Sequence, residues 1–383
     1  MPLPPSIREL QQEPDEMLFR LKLACVVSSL PYRRSFFQLG GFARLSKSLR
    51  KWPEHLLALF GEDIVLRGML QAKSVIPLLQ ESFGFHNPAA REMATSPNAV
   101  ASVQVLFFSE EAYPVRLRNI YDSPGVLWIR SFEERSAPLG SRNAAGDSRE
   151  GMSNSLQSSA QSGGGLPPFE DPVAGIVGTR DPEPVSLVAT EELVEGLPES
   201  ALIVSGLARG IDERAHRCAL LRGLATVAVL GAGILCPGPS SNRHLWQRRY
   251  PGKLWLVSEF LPHQPARSYH FPRRNRIIAG LCDSLYLMQA PDKSGALISA
   301  AFALEEGREL FAFDHPLLQK PGANEGARDL IQQGARGLEL CSEQRLLRIS
   351  RGPVQLEREI FERDGLRSGR LRPLGQGWLF DSG

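Results

Sequence analysis

The chain has 383 residues, 42% of them hydrophobic and 22% charged, with a formal net charge of +2. That composition belongs to a globular chain able to bury a sizeable core, and any affinity for a polyanion must come from local clusters of charge rather than from the overall field. The five cysteines, Cys25, Cys218, Cys236, Cys282 and Cys341, are scattered and form no CxxC pair; free thiols in a reducing compartment are expected, with no disulfide framework and no metal.

The N-terminal MPLPPSIRELQQEPDE is proline-rich and acidic, unlike a signal peptide. No apolar run approaches the ~20 residues of a membrane span, so a soluble, cytoplasmic protein is expected. Residues 18–85 read as short helices: Leu18, Leu21, Ala24 and Cys25 share one helical stripe, and Leu56, Leu57, Phe60 and Ile64 another. A small helical region over residues 1–100 follows from this. At Val103 the pattern changes, and VQVLFF and VLWIR read as strands separated by the turn-rich EEAYPVRLRNIYDSPG. Residues 131–168 then collapse into Ser, Gly, Asn, Ala and Gln, too apolar-poor to offset their ordering entropy. They are expected to be a disordered insertion within one domain spanning 101–340.

Beyond the insertion, VAGIVG, ALIVSG, ATVAVLGAG, LWLVSEF, SLYLMQA and ELFAF alternate with the helical patterns EELVEGL, DERAHRCALLRG and ALISAAFALEEG. Strands this apolar, separated by helices, predict an α/β fold with a mostly parallel sheet covered by helices on both faces. The remaining residues, 341–383, form a basic tail with one amphipathic helix over 354–361. The tail is short for an independent domain.

In such sheets ligands bind beyond the carboxyl ends of the strands. Gly178, Thr179 and Arg180 follow VAGIV: a glycine admits close backbone approach and the arginine adds a charged donor, or the segment is an ordinary turn. Ser205, Gly206, Arg209 and Gly210 follow ALIV, just before a helix whose expected N-cap is Asp212. His216, one turn further, has no nucleophile nearby to activate. GAGI, residues 231–234, is either a third wall of the same cleft or a tight turn. Phe271, Arg273, Arg274, Asn275 and Arg276 combine an aromatic face, worth ~1–3 kcal/mol per stacked base, with three guanidiniums suited to phosphate. One of the three is expected to turn back into the fold, toward Glu259. Lys293 and Ser294 open a further helix but lack the spacing of a P-loop, so ATP hydrolysis is not implied. The set describes an anion-binding cleft without a carboxylate pair, metal cluster or Cys/His couple for catalysis. A basic groove with aromatic platforms suits a single strand of nucleic acid.

These segments resemble the DprA/Smf family of DNA-processing proteins, in the family's order, over residues 113–335. SGLARGID and FPRRNRIIAGL carry most of the resemblance, supported by GIVGTRDP, TVAVLGAGI and KSGALISAAFALEEG. The resemblance implies an extended Rossmann-like fold that binds single-stranded DNA around Arg180, Arg209 and residues 273–276, forms a homodimer, and helps load a RecA-type recombinase during natural transformation. It implies no enzyme activity and no cofactor. The alternative is a nucleotide hydrolase of the related phosphoribohydrolase type, whose PGGxGTxxE motif is missing here. Several positions depart from the family pattern. CPGPSSN replaces a tyrosine–proline run, although Asn242 matches the family asparagine, and Arg328 stands where asparagine is usual. The N-terminal helix-hairpin signature is degraded, and the tail is at most a truncated winged-helix remnant.

Overall fold

The aliphatic runs assemble into one nine-stranded sheet in a computed structural model, which describes residues 4–31, 36, 40–83, 99–134, 165–247 and 250–338 and the backbone of 371–374 and 377–380. The N-terminal region holds α1 (Pro5–Gln11), α2 (Glu16–Ser28), α3 (Trp52–Phe60) and α4 (Glu62–Phe83). The sheet comprises β1 (Ala99–Phe107), β2 (Val126–Glu134), β3 (Val173–Val177), β4 (Leu202–Ser205), β5 (Ala225–Val229), β6 (Lys253–Ser258), β7 (Ser284–Leu287), β8 (Glu309–Phe313) and β9 (Arg336–Leu338). Its longer helices are α5 (Pro184–Gly196), α6 (Ile211–Arg222), α7 (His270–Leu281), α8 (Gly295–Glu305) and α9 (Glu325–Gln332). A separate hairpin pairs Leu371–Leu374 with Gly377–Phe380; the helix expected over 354–361 lies outside the described residues.

Strand order is β1-β2-β6-β5-β4-β3-β7-β8-β9. From β6 to β9 every neighbour is parallel, and β1–β2 and β2–β6 are antiparallel. The expected mostly parallel α/β sheet is therefore present, extended at one side by an antiparallel pair. Alternate side chains serve opposite faces. Ile176 and Ile203 pack with Val185, Ala189, Ile211 and Ala215 of α5 and α6. Val177, Leu202 and Val204 join Ile277 and Ile278 of α7 in the other layer. The chain runs outward from β3 to β6, then returns to place β7 on the other flank of β3. That return must cross three strands, and α7 makes the crossing. The topological switch point thus falls between β3 and β7, the usual place for a ligand crevice.

Two boundaries differ from the sequence expectation. β2 continues to Glu134, four residues into the stretch expected to be disordered, because residues 131–134 pair with β1. The rest of that insertion, 135–164, lies outside the described residues. The N-terminal helices are also not uniformly short, since α4 has 22 residues. Gly61, with φ of 86°, breaks the stripe of Leu56, Phe60 and Ile64 between α3 and α4. The Asp15 carboxylate caps α2 by accepting from the Leu18 N–H at 3.0 Å.

The helical region shares one core with the sheet: Phe19, Trp52 and Leu56 belong to the same cluster as Phe107, Leu127 and Trp128. Trp128 Nε1 donates to Ser28 Oγ at 2.9 Å, and Arg20 donates to both Glu110 and the Val105 carbonyl. Gly125, just before β2, is covered by the Phe42 ring, which a Cβ would overlap. Gly125→Ala should therefore lower stability by about 1–3 kcal/mol, seen as a lower urea midpoint; an unchanged midpoint would show that the helices do not dock there.

Candidate nucleic-acid interface

The strand ends supply a cleft because each is followed by a tight turn that keeps the backbone close to the sheet. After β3, Gly178 and Thr179 line the cleft and Arg180 projects from it, exposed. Gly178 leaves no void for a ligand: a Cβ would come within 2.6 Å of Ile211. Ser205 is fully buried and donates to the Ile176 carbonyl at 2.5 Å, tying β4 to β3. Gly210, at φ 82°, is the N-cap of α6, and a side chain there would strike the Thr179 carbonyl. Asp212 is therefore not the cap expected from sequence. It sits inside the first turn, buried, and accepts from the Ala208 N–H at 3.2 Å. Burial raises its pKa against the pull of Arg274 and of the backbone N–H groups of Ala208 and Gly206.

The loop between Ser205 and Gly210 is held from a second side. Leu207 is buried in the left-handed region (φ 61°), and the Asn242 side chain donates to the Leu207 and Ala208 carbonyls, both at 3.1 Å. This leaves Arg209 at the exposed tip. Asn242 is thus a positioning residue that reasoning from charge clusters passes over; its match to the family asparagine was the available signal.

The three arginines at the start of α7 separate into different roles. Arg276 is 4% exposed and lines neither large depression of the cleft. Its Nη1 and Nη2 donate to Glu259 at 2.8 and 2.7 Å, and its Nε to Asp122 at 2.9 Å. Burial opposes its charge, but Glu259 and Asp122 raise its pKa above the ordinary value. Arg276 thus meets its charge inside the fold, in the place expected for one of the three arginines, beside Glu259. Arg273, whose side chain is 39% exposed, also donates to Glu259, at 3.1 Å, and lies over the Phe260 ring. Burial would raise the Glu259 pKa, yet the two guanidiniums hold it below the usual carboxylate range.

Arg274 points instead under the cleft. It is buried, its Nη1 donates to the Val229 carbonyl at 2.6 Å, and its Nε has no partner. Its side chain occupies the space where a Cβ of Gly206 would be. Desolvation lowers its pKa to about 10, with Asp212 supporting the charge and Arg180 opposing it, so it remains a cation at neutral pH.

Phe271 packs beside Gly231, where a Cβ would approach to 2.8 Å, and the Arg180 guanidinium lies 5.6 Å from its ring centre. Asn275 donates to the Gly295 carbonyl at 3.0 Å. Ser294 caps α8 by accepting from Ala296 N–H at 3.1 Å, and Lys293 is exposed at φ 58° without lining the cleft. The cleft consists of two adjoining depressions, of about 350 and 420 Å³, sharing Arg180, Ala208, Phe271 and Arg274.

No acid–base pair faces this cleft among the described residues. His216 is sealed in the core, with Nδ1 2.7 Å from Thr226 Oγ1. The Thr226 hydroxyl donates to the Ile203 carbonyl, so His216 must donate from Nδ1, leaving Nε2 bare. Burial pushes its pKa down to about 3, from 6.5. Among the described residues no cluster of His, Cys, Asp and Glu is suited to a metal. Cys25, Cys218 and Cys282 are buried and Cys236 is exposed, and these four form no disulfide; Cys341 lies outside the described residues.

Two outcomes follow. Glu259→Gln should destabilise the protein by about 3 kcal/mol in urea unfolding, because it leaves the buried Arg276 short of countercharge. His216 is neutral in the fold but protonates in the unfolded chain below pH 6.5, so its contribution is full above that pH and lost as pH falls toward about 3. Stability should fall along that limb by about 1.4 kcal/mol per pH unit, and His216→Gln should flatten the limb; an equal slope in both proteins would contradict the buried neutral imidazole.

The comparisons agree with this architecture. Residues 161–347 match the family model described as DNA recombination-mediator protein A. The DNA processing protein DprA of Streptococcus pneumoniae is 34% identical over 228 residues, 59% of this chain and 68% of that protein. The Bacillus subtilis DprA is 33% identical over 237 residues, 62% and 68% of the two chains. The X-ray structure of the Streptococcus pneumoniae DprA aligns over 88% of this chain and 95% of its own, with a TM-score of 0.55 and 25% identity. With its parallel sheet, its switch-point cleft and relatives matched over two thirds of their length, the chain belongs to the DprA/Smf family of DNA recombination-mediator proteins.

Proposed function

We propose that this protein binds single-stranded DNA in the cleft at the ends of β3, β4 and β5, and hands the strand to a RecA-type recombinase in DNA recombination and natural transformation. The observation that carries the reading is the exposed Arg180 lying over Phe271, with the cationic Arg274 beneath. A guanidinium suited to phosphate beside an aromatic face is the pairing that a sequence-tolerant single-strand site requires. Arg180, Arg209, Arg274 and Phe271 are the proposed contacts, with Asn275 and Ser294 on the adjoining wall. Gly178, Thr179, Ser205, Gly206 and Gly210 shape the turns, and Arg273 and Lys293 contribute charge at the margin. The role is binding without catalysis, which the engaged Asp212 and sealed His216 support.

In this reading residues 101–340 form the DNA-binding domain, flanked by the helical region 1–100 and the tail 341–383, and the protein works as a homodimer in the cytoplasm. No described helix is long and apolar enough to cross a membrane.

Because Arg180 and Arg209 are exposed, their removal should leave the unfolding midpoint unchanged. Arg180→Ala and Arg209→Ala should each weaken binding to an oligothymidylate by about tenfold at low salt. Each should also reduce the slope of log affinity against log salt by about 0.7, the signature of one lost phosphate contact on a single strand. Equal affinity and slope in wild type and both variants would remove DNA from this cleft.

A further inference from the structure

Arg180 is exposed on a short loop, residues 178–183, between β3 and α5. A cation on such a loop binds tightly only if the fold has already fixed the loop, because ordering it on contact costs affinity. Few backbone donors can do this. Pro182 and Pro184 have no N–H, and the Asp181 N–H turns onto the loop's own Thr179 Oγ1 at 3.3 Å. The amides of Thr179 and Glu183 bracket Arg180, and both end on one residue, Gln289. Thr179 N–H donates to the Gln289 carbonyl and Glu183 N–H to Gln289 Oε1, each at 2.8 Å.

Gln289 lies two residues past β7, is 1% exposed and lines neither depression of the cleft. Its backbone is placed by the β3–β7 ladder, which continues through Met288 N–H to the Val177 carbonyl at 3.0 Å. Its side chain can sit only one way round. The Glu183 N–H must meet the amide oxygen, which leaves Nε2 to donate to the Ala323 carbonyl at 3.3 Å. The segment on that side is itself anchored, since Asn324 accepts from Ala290 N–H and donates to the Phe313 carbonyl, both at 3.0 Å.

The two ends of the loop differ in what else holds them. Thr179 is also gripped through its carbonyl by the Ile211 N–H at 3.3 Å. At the other end the Glu183 carboxylate accepts from the Gln319 and Lys320 amides, and Lys320 pairs with Asp181, all at the exposed surface. Exposed pairs of that kind hold little, whereas a buried amide left without its acceptor is costly, so the Gln289 side chain decides the position of this end. We propose that Gln289 is a positioning residue, which holds the loop at both ends and so fixes Arg180 beside Phe271 before any strand arrives. This rests on the single-strand reading above and adds the buried group on which the presentation of Arg180 depends.

The test uses the full-length protein and a labelled oligothymidylate, with affinity measured across a salt series. Gln289→Met keeps the side chain's length and removes both of its hydrogen bonds. It should weaken binding by about fivefold and lower the slope of log affinity against log salt by about 0.5, most of the Arg180→Ala effect. In the Arg180→Ala background it should add less than about twofold, because its effect passes through that arginine. Gly125→Ala, destabilised where the helices dock instead, should bind as wild type does. Additive losses, or an equal loss in Gly125→Ala, overturn the proposal. Should Gln289→Met not fold, amide hydrogen exchange in wild type decides: the Glu183 N–H should be protected by about a hundredfold or more, and exchange at the rate of an open loop overturns the proposal. If wild type binds no labelled strand, the single-strand reading fails, and exchange at Glu183 still decides whether Gln289 holds the loop.

Discussion

Arg276, Glu259 and Asp122 meet in the interior, where each would be costly alone. Glu259 takes two hydrogen bonds from one guanidinium and a further one from Arg273, and Asp122 takes the bond from the remaining edge of Arg276. Geometry of this quality is what lets buried charges persist, because desolvation must be matched by short, directed contacts. The cluster joins three places: the residue after β6, the turn before β2 and the start of α7. It thereby fixes the axial position and rotation of α7, with Arg274 sent toward β5 and Phe271 toward the turn after it. The cleft inherits its shape from this buried network.

A second constraint is how near the backbone turns come to their own side chains. Glycines beside bound phosphates are usually understood as making room for ligand. Here the missing Cβ atoms are filled from within: Ile211 against Gly178, Arg274 against Gly206, and Phe271 against Gly231. The chemistry of the cleft therefore depends on side chains threaded through glycine gaps, and the loop amides contribute mainly to internal bonds such as that from Ala208 to Asp212.

Much of this was legible in the chain. Short apolar runs between glycine turns identified β1 to β8, because strands buried on both faces must be aliphatic throughout. Gly-Thr-Arg and SGLARGID located the cleft because they follow β3 and β4, and FPRRNR joined them as a cluster of charge opening a helix. The assignment of individual arginines was not legible. Arg273, Arg274 and Arg276 are chemically identical, and what sorts them is the arrival of Glu259 and Asp122, the latter 154 positions from Arg276. Position β9 escaped notice because three residues, RGL, carry no periodicity. The antiparallel side of the sheet was equally hidden, since pairing direction depends on topology and not on the apolar pattern of a strand.

The α7 crossover bears on how the molecule acquires its binding surface. Arg274 can reach the Val229 carbonyl only after β4 and β5 have paired and α7 has been laid across them. The floor of the cleft thus forms from segments distant in sequence, whose closure is entropically slow compared with helix formation. A collapsed intermediate with its strands in place but α7 undocked would have the protein's secondary structure and no floor to its cleft. The floor of the cleft is therefore a report that the central sheet and α7 are assembled together.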